Sequence, residues 1–249
     1  MIRFLRLTAW GFLLAMSLPQ PSSPAAGAGT FPEAFQPPVI PDRTVSIRYF
    51  GAAGDGHTLC TAAIQQAISA CAAAGGGRVV IPSGIWLTGP VRLESRIELH
   101  LESGALLLFS GDHRLYPVIQ APTKGWLVAS PLYGYGLEDV AITGIGIIDG
   151  AGESWRPVKK FKTTSRQWKA LINSGGVVDK KGEMWWPSRE AMEGEDYLEK
   201  LKKSKPKKEI TAEDHLPARV YLRPYMISFI DCKRVLFEGV TIKNSPKFA

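Results

Sequence analysis

The sequence predicts an all-β solenoid, in which short strands stack in coils around an apolar interior. Three observations support this: strict alternation of apolar and polar residues at 97–102, a weak internal repeat, and one amphipathic helix. Residues 140–144 (VAITG) resemble residues 235–239 (VLFEG), which lie 95 positions later, and residues 97–99 fit the same frame 43 positions earlier. Because solenoid repeats often have about 20–25 residues, we expect the shorter spacing to span two coils.

The amphipathic helix is predicted from Thr61, as its N-cap, to about residue 74. Its apolar residues recur every three or four positions and therefore share one face: Ile64, Ala67, Ile68 and Cys71. Three glycines at 75–77 end the helix, because glycine tolerates the left-handed conformation after a helix. The first coil of a solenoid leaves one end of its core open, and we expect this helix to cap it.

Short strands separated by turns are predicted on both sides of this helix. The predicted strands cover residues 45–49, 79–81, pieces between 85 and 93, 97–102, 105–109 and 225–230. In the strand at 97–102, Glu98 and His100 are predicted to face outward, and we assign His100 no functional role.

The N-terminal residues are typical of an export signal. Arg3 and Arg6 precede a short apolar stretch at 7–18, and residues 26–28 (AGA) offer a cleavage site. The alternative is a membrane anchor, but that stretch is too short to span a bilayer. We predict a signal peptide at 1–28, a linker at 29–44 and the N-terminal part of a β-helix domain at 45–249. The mature protein is then secreted or periplasmic, without a membrane partner.

The positive charge of the chain is concentrated in one segment. The formal net charge is +7, of which Arg3 and Arg6 supply two charges. Residues 156–217 supply the other five, with 15 Lys or Arg and 10 Asp or Glu. A nucleic-acid interface would combine a basic stripe with residues that stack on bases. We therefore interpret this segment as a solvated charged face and expect no nucleic-acid partner.

Neither the cysteines nor the histidines indicate a metal or cofactor site. Cys60, Cys71 and Cys232 are an odd number, and the first two flank one helix, so we expect three free, buried thiols. No clustered ligand spacing is present. We expect neither a metal nor a cofactor.

Residues 156–217 interrupt the solenoid pattern, and we predict an insertion between coils with a helix at about 188–204. Trp185 and Trp186 in this insertion are candidates for stacking on sugar rings, or alternatively anchor it to the solenoid. Glu153 and Trp155 follow a predicted turn at 149–150. They are candidates for the edge of a substrate cleft, or alternatively their loop packs against the insertion.

Four motifs resemble one family of enzymes. They are FGAAGDG at 50–56, the helix and strands at 61–108, ITGIGIIDGAGESW at 142–155 and RPYMISFIDCKRVLFEGVTIKNSP at 223–246. Together these residues resemble the N-terminal half of polygalacturonase-like enzymes of glycoside hydrolase family 28, over about 45–155 and 219–246. The resemblance implies a right-handed parallel β-helix. It also implies hydrolysis, with inversion, of α-linked galacturonic acid or a related sugar in a pectic polysaccharide or oligosaccharide.

The residues that perform this chemistry in the family are absent from the sequence. The family uses N-x-D, D-D, G-H-G and R-x-K motifs on coils after an Asn-Ser-Pro turn. Here that turn is at 244–246, and none of the four motifs occurs in the chain. No catalytic residue is therefore assigned, and this chain alone is expected to be inactive. The alternatives are a polysaccharide lyase or epimerase on the same fold, or an inactive truncated product of poor solubility.

Overall fold

The computed structural model describes residues 36–247. The predicted signal peptide at 1–28 and the first part of the predicted linker, residues 29–35, lie outside the described residues, as do residues 248–249. Within residues 36–247, no helix is long and apolar enough to cross a membrane.

The described residues contain eighteen short strands. In chain order they are β1 (Thr44–Ser46), β2 (Asp55–Leu59), β3 (Gly77–Ile81), β4 (Gly84–Thr88), β5 (Val91–Arg92), β6 (Ile97–Leu101), β7 (Ala105–Phe109), β8 (Val118–Ala121), β9 (Gly125–Val128), β10 (Leu132–Tyr135), β11 (Glu138–Gly144), β12 (Ile147–Asp149), β13 (Val158–Lys159), β14 (Val177–Val178), β15 (Met184–Trp186), β16 (Ile227–Ile230), β17 (Lys233–Glu238) and β18 (Thr241–Lys243).

Three parallel sheets form the body of the molecule. Sheet A has the order β1-β3-β6-β11-β17, sheet B the order β2-β4-β7-β12-β18, and sheet C the order β5-β10-β16. Neighbouring strands are parallel in all three sheets. From β3 onward the chain visits sheets A, B and C in turn, so each circuit adds one strand to each sheet. This confirms the predicted parallel β-helix.

The internal repeat marks strands that pair directly. Val140 in β11 pairs with Ile97 in β6 on one side and with Val235 in β17 on the other. The predicted division of 43 residues into two coils is wrong, because β6 and β11 are adjacent in sheet A. The circuit between them is long because the antiparallel β8–β9 hairpin is inserted between β7 and β10.

Inward side chains of successive coils stack into apolar ladders. Val79, Leu99, Ile142 and Phe237 occupy paired positions on β3, β6, β11 and β17. The first three have no exposed surface, whereas Phe237, on the last strand of sheet A, is 41% exposed. Stacking therefore buries each inward residue between the coils on either side, which is the main source of stability in such a fold.

Glu98 faces outward from β6, as predicted, but it is not solvent-exposed. It is only 7% exposed because Arg78 donates from Nε at 2.9 Å and Thr143 donates from its hydroxyl at 2.5 Å. Burial by itself raises the pKa of Glu98, but these hydrogen bonds outweigh it and lower the pKa. His100 also has a partner, since its Nδ1 lies 2.7 Å from the Thr143 hydroxyl.

Helix α1 (Thr61–Ala73) forms within a residue of its predicted limits and buries the predicted apolar face. Its N-cap is Cys60 rather than Thr61. The Thr61 hydroxyl instead accepts a hydrogen bond from the Gly89 amide at 2.6 Å. Thr61 thus joins the helix to the turn that precedes strand β5 of sheet C.

Two further predictions differ from the structure. The first strand, predicted at 45–49, is β1, and a 3₁₀ turn over Ile47–Phe50 follows it because the Ser46 side chain accepts from the Arg48 amide. The three cysteines are free, but only Cys60 and Cys71 are buried. Cys232 is half-buried, in the turn between β16 and β17.

The residues between β12 and β16, which we call the inserted segment, hold most of the remaining helices. These are α2 (Ser165–Asn173), α3 (Arg189–Ser204), α4 (Ala212–His215) and α5 (Arg219–Leu222). This segment and the β8–β9 hairpin both leave sheet B and return to sheet C, in adjacent coils. They pack together around a second apolar core formed by Tyr116, Val118, Val128, Trp155, Ala191 and Val220.

Candidate functional site

The outer face of sheet C combines a cation, two phenols and a hydroxyl. Arg92 on β5, Tyr133 on β10 and Ser228 on β16 are paired positions across the three strands. Tyr135 follows two residues after Tyr133 and therefore shares its face. The alternate positions of β10 face inward, because Leu132 is fully buried and Gly134 is buried as well. The alternation along β10 thus places both tyrosines on the outside.

The two tyrosines form a partly buried aromatic pair. Their ring centroids are 6.0 Å apart, with the ring planes tilted by 52°. Burial raises the pKa of Tyr133 and of Tyr135 above the ordinary value. Both side chains therefore stay neutral at physiological pH, as phenols that donate hydrogen bonds and present an apolar ring face.

A groove runs between this face and helix α1. It has a volume of about 950 Å³, and its polar lining includes Gln65, Ser69, Arg92, Glu94 and Arg96. Gln65 donates to the Arg92 carbonyl at 3.0 Å and accepts from the Arg92 amide at 3.1 Å. The Ser69 hydroxyl donates to Glu94 at 2.7 Å. The groove is therefore polar, and its two arginines exceed its one carboxylate.

The turns after β12 and β18 are joined by a buried carboxylate. Asp149, predicted as a turn residue, accepts from the Ala151 amide at 3.0 Å and from the Asn244 side-chain amide at 3.0 and 3.1 Å. Lys243 lies 3.2 Å away. Burial raises the pKa of Asp149, but these partners outweigh it and lower the pKa. An ionised, fully bonded Asp149 holds two coils together and has no proton to donate.

Trp155 is not available to a sugar ring in this structure. It has no exposed surface and lies in the second apolar core, with its ring centroid 4.0 Å from that of His113 and 4.9 Å from that of Tyr116. The proposed place of Trp155 at a cleft edge is therefore corrected: its loop packs inward, because the hairpin and the inserted segment cover it from both sides.

The other candidates from the sequence lie on elements that do not belong to sheet C. Trp185 is 7% exposed, and its Nε1 donates to the Gly175 carbonyl at 2.8 Å, which leaves little ring surface for stacking on a sugar. Trp186 is half-buried and packs against the second core. Glu153 is exposed in a 3₁₀ turn over Gly152–Ser154 and stays a candidate for the cleft edge.

The sequence analysis did not predict the residues on the outer face of sheet C as a site. The alternation in residues 132–135 (LYGY) signals one outward face, but nothing in the sequence aligns it with Arg92 or Ser228. That alignment depends on the parallel register of β5, β10 and β16, which lie far apart in the chain.

This face can bind but lacks the groups for hydrolysis. Arg92 can pair with a carboxylate, and the tyrosine rings can pack on the apolar side of a sugar. Hydrolysis of a glycosidic bond needs an acid and a base on opposite sides of the bond. Neither Arg92, Tyr133, Tyr135 nor Ser228 supplies a carboxylate. Among residues 36–247, no group of three or more His, Cys, Asp or Glu residues is arranged to hold a metal ion.

Several known proteins are similar to the chain, although no family model matches it. A probable polygalacturonase from Vitis vinifera is 40% identical over an alignment of 124 residues, which covers 45% of this chain and 25% of that protein. A hyperthermoactive exopolygalacturonase from Thermotoga maritima aligns with a TM-score of 0.62 and 33% identity, over 86% of this chain and 45% of that one. The family 28 exopolygalacturonase of Yersinia enterocolitica aligns with a TM-score of 0.52 and 25% identity, over 83% of this chain and 36% of that one.

The chain spans less than half the length of each of these relatives. Within that span the likeness to the Thermotoga maritima structure is one of fold as well as of sequence. The chain is similar to a portion of the polygalacturonase-like enzymes of glycoside hydrolase family 28, and it has their pectin-lyase-like fold.

Proposed function

We propose that the protein to which these coils belong is a secreted glycoside hydrolase that cleaves pectic polysaccharide. The observation that carries this proposal is the 33% identity to an exopolygalacturonase over 86% of the chain, on a shared fold. The names of the relatives give the substrate class, a polymer of galacturonic acid, and the outer face of sheet C offers matching groups. Arg92 suits the carboxylate of such a sugar, and Tyr133 and Tyr135 suit its apolar face.

The catalytic carboxylates are proposed to lie on coils that continue past β18. The Asn244 side chain already anchors the turn at which such coils would begin, through its hydrogen bonds to Asp149. An inverting mechanism would need one carboxylic acid to protonate the leaving oxygen. A carboxylate about 6.5–9.5 Å away would activate the attacking water. In this proposal, the chain described here supplies the neighbouring binding face.

Activity assays on two proteins test the proposal. The 249-residue chain is expected to release no reducing ends from polygalacturonate, whereas a longer product of the same gene that contains N-x-D and D-D motifs should release them. Product NMR should show inversion at the anomeric carbon. Turnover by the shorter chain would contradict the assignment of catalysis to later coils. Unsaturated products with double-bond absorbance would instead identify a lyase.

The binding face is tested separately in the longer protein. Arg92→Ala and Tyr133→Ala should raise the KM for polygalacturonate by about tenfold, because each removes one contact to the sugar. The control is Arg114→Ala, at an exposed residue in the turn before β8. Unchanged kinetics in both face variants would remove sheet C from the proposed site.

A further inference from the structure

A second concave site lies between the tip of the β8–β9 hairpin and the inserted segment. It has a volume of about 540 Å³ and is lined by Lys124, Trp126, Lys202, Lys205, Lys207 and His215, together with apolar residues. We call it the lysine pocket. Its two walls are held together, since Trp126 donates from Nε1 to the Ile210 carbonyl at 3.1 Å and α4 packs against β8.

The charge of the lysine pocket is strongly unbalanced. Four lysines line it, and no acidic side chain does. Lys205 is paired with Asp214 at 2.6 Å. The other three lysines have no acidic partner among residues 36–247. The three lysines without an acidic partner repel one another around the concavity, and an anion that enters the pocket relieves this repulsion.

The walls of the pocket are apolar and aromatic beneath these charges. Leu198, Leu201 and Ile210 contribute aliphatic surface. The half-buried Trp126 ring is fixed by its hydrogen bond and lies 5.8 Å, between centroids, from the ring of His215. His215 is itself fixed, because its Nδ1 lies 2.8 Å from the Thr211 carbonyl. A rigid aromatic wall with aliphatic neighbours suits the C–H face of a pyranose ring.

We propose that the lysine pocket binds a carboxylate-bearing sugar unit of an acidic polysaccharide. This rests on the proposed function, which supplies polygalacturonate as the polymer. The pocket would hold the polymer at a second point, apart from the sheet C face, and so raise its local concentration by multivalent attachment. A nucleic acid also carries anions, but sequence-tolerant binding of single strands uses several stacking aromatics along a groove. The lysine pocket offers one tryptophan.

Binding of oligogalacturonates of defined length to the 249-residue chain, measured by calorimetry, tests this inference. The double variant Lys202→Glu/Lys207→Glu should weaken binding by about tenfold or more at low ionic strength, with a smaller effect in high salt. The matched control is Lys169→Glu/Lys180→Glu, which makes the same charge change on exposed residues of the inserted segment outside the pocket. Its affinity should stay within about twofold of the parent.

Further ligands and variants separate the possible outcomes. Fully methyl-esterified oligogalacturonates should bind poorly, because they lack the carboxylate. Tighter binding of a single-stranded oligonucleotide than of oligogalacturonate, lost in the same double variant, would overturn the assigned ligand. Binding that survives Lys202→Glu/Lys207→Glu but is lost in Arg92→Ala would overturn the lysine pocket and leave the proposed function intact. Absence of any binding by the folded chain would also overturn it.

Discussion

At the scale of single residues, one corner of the solenoid repeats the same backbone conformation from coil to coil. Gly76, Arg96, Asp139 and Arg234 all have positive φ, of 103°, 62°, 59° and 52°. Each precedes one of four residues paired across sheet A, so the four left-handed residues stack. Asp139 accepts from Arg234 at 2.5 and 2.8 Å and from the Val39 amide at 2.9 Å. Two neighbours in this stack, Asp139 and Arg234, therefore also form an ion pair between coils.

The stabilisation from Asp139 should depend on pH. The Arg234 guanidinium holds the pKa of Asp139 at about 2, below its ordinary value of 3.8. A lowered folded-state pKa stabilises the fold fully above about pH 4 and loses that effect as the pH falls toward 2. Asp139→Asn keeps the left-handed preference and removes the charge. We expect its stability deficit in urea unfolding to be constant near neutral pH and to shrink below about pH 4.

The control for this measurement is Glu102→Gln. Glu102 is exposed, and its carboxylate has no hydrogen bond or ion pair among the described residues. Its removal should not change the pH profile. A deficit in Asp139→Asn that is equally large at pH 2 and pH 7 would show that shape, not charge, sets the role of Asp139.

Trp155 should stabilise the second core rather than the coils. Because it is fully buried, Trp155→Ala should cost about 3–5 kcal/mol of local stability. Limited proteolysis mapped by mass spectrometry should show new cleavage between β12 and β16, while strands of sheets A and B stay protected. Phe161→Ala, at a residue that is 78% exposed, is the control and should leave the digest unchanged. Uniform loss of protection would mean that the two cores unfold together.

At the scale of elements, helix α1 takes the place that a strand occupies in later coils. The first circuit has β1 in sheet A and β2 in sheet B, and α1 follows where a sheet C strand would come. Strand β5 is thus an edge strand, and the Gln65 side chain bonds both its free amide and its free carbonyl at Arg92. A side-chain amide has the donor and acceptor of a peptide group, so it substitutes for the missing strand.

Loss of this substitute should destabilise the edge modestly. Gln65→Ala frees two exposed backbone groups to bond water, so we expect a loss of about 1 kcal/mol in the free energy of unfolding. Gln66→Ala is a matched control, because the neighbouring glutamine is exposed and makes no such contact. Hydrogen exchange at the Arg92 amide should accelerate only in Gln65→Ala. Equal effects of the two substitutions would point to helix propensity instead.

At the scale of the whole molecule, the last strands differ from the rest. Within the described residues, β16, β17 and β18 end sheets C, A and B, and their inward side chains are covered on one side only. Phe237 and Ile242 are 41% and 40% exposed although both sit at inward positions. Such edges pair readily with other strands.

The isolated 249-residue chain should therefore self-associate through this end. A lysine in the last strand of sheet B opposes strand pairing, so Ile242→Lys should lower the oligomer fraction in sedimentation experiments. Ile172→Lys, in α2, changes an isoleucine of similar exposure away from the edge and should leave that fraction unchanged. A monomeric parent chain at high concentration would contradict the proposed association.

How much of this was predictable differs between the coils and the site. The alternation at 97–102 and the repeat at 140 and 235 located strands that pair in the predicted frame. The coil count was wrong because the β8–β9 hairpin lengthens one circuit without altering its register. Arg92, Tyr133 and Ser228 were not predicted as a group. Their common face depends on sheet register, which sequence separation does not reveal when inserted segments change the length of each circuit.

The apolar pattern of the sequence determined a solenoid of short strands and the buried face of α1, because the period leaves each strand or helix one apolar face to bury. The sequence also determined that the known catalytic motifs of the family are absent from these 249 residues. Tertiary structure alone decided what the polar residues do. It buried Trp155, paired Glu98 with Arg78 and Thr143, and brought Lys124 to the same pocket as Lys202 and Lys207. Two segments inserted at the same corner of adjacent coils must pack against each other, and no local pattern records which side chains then meet.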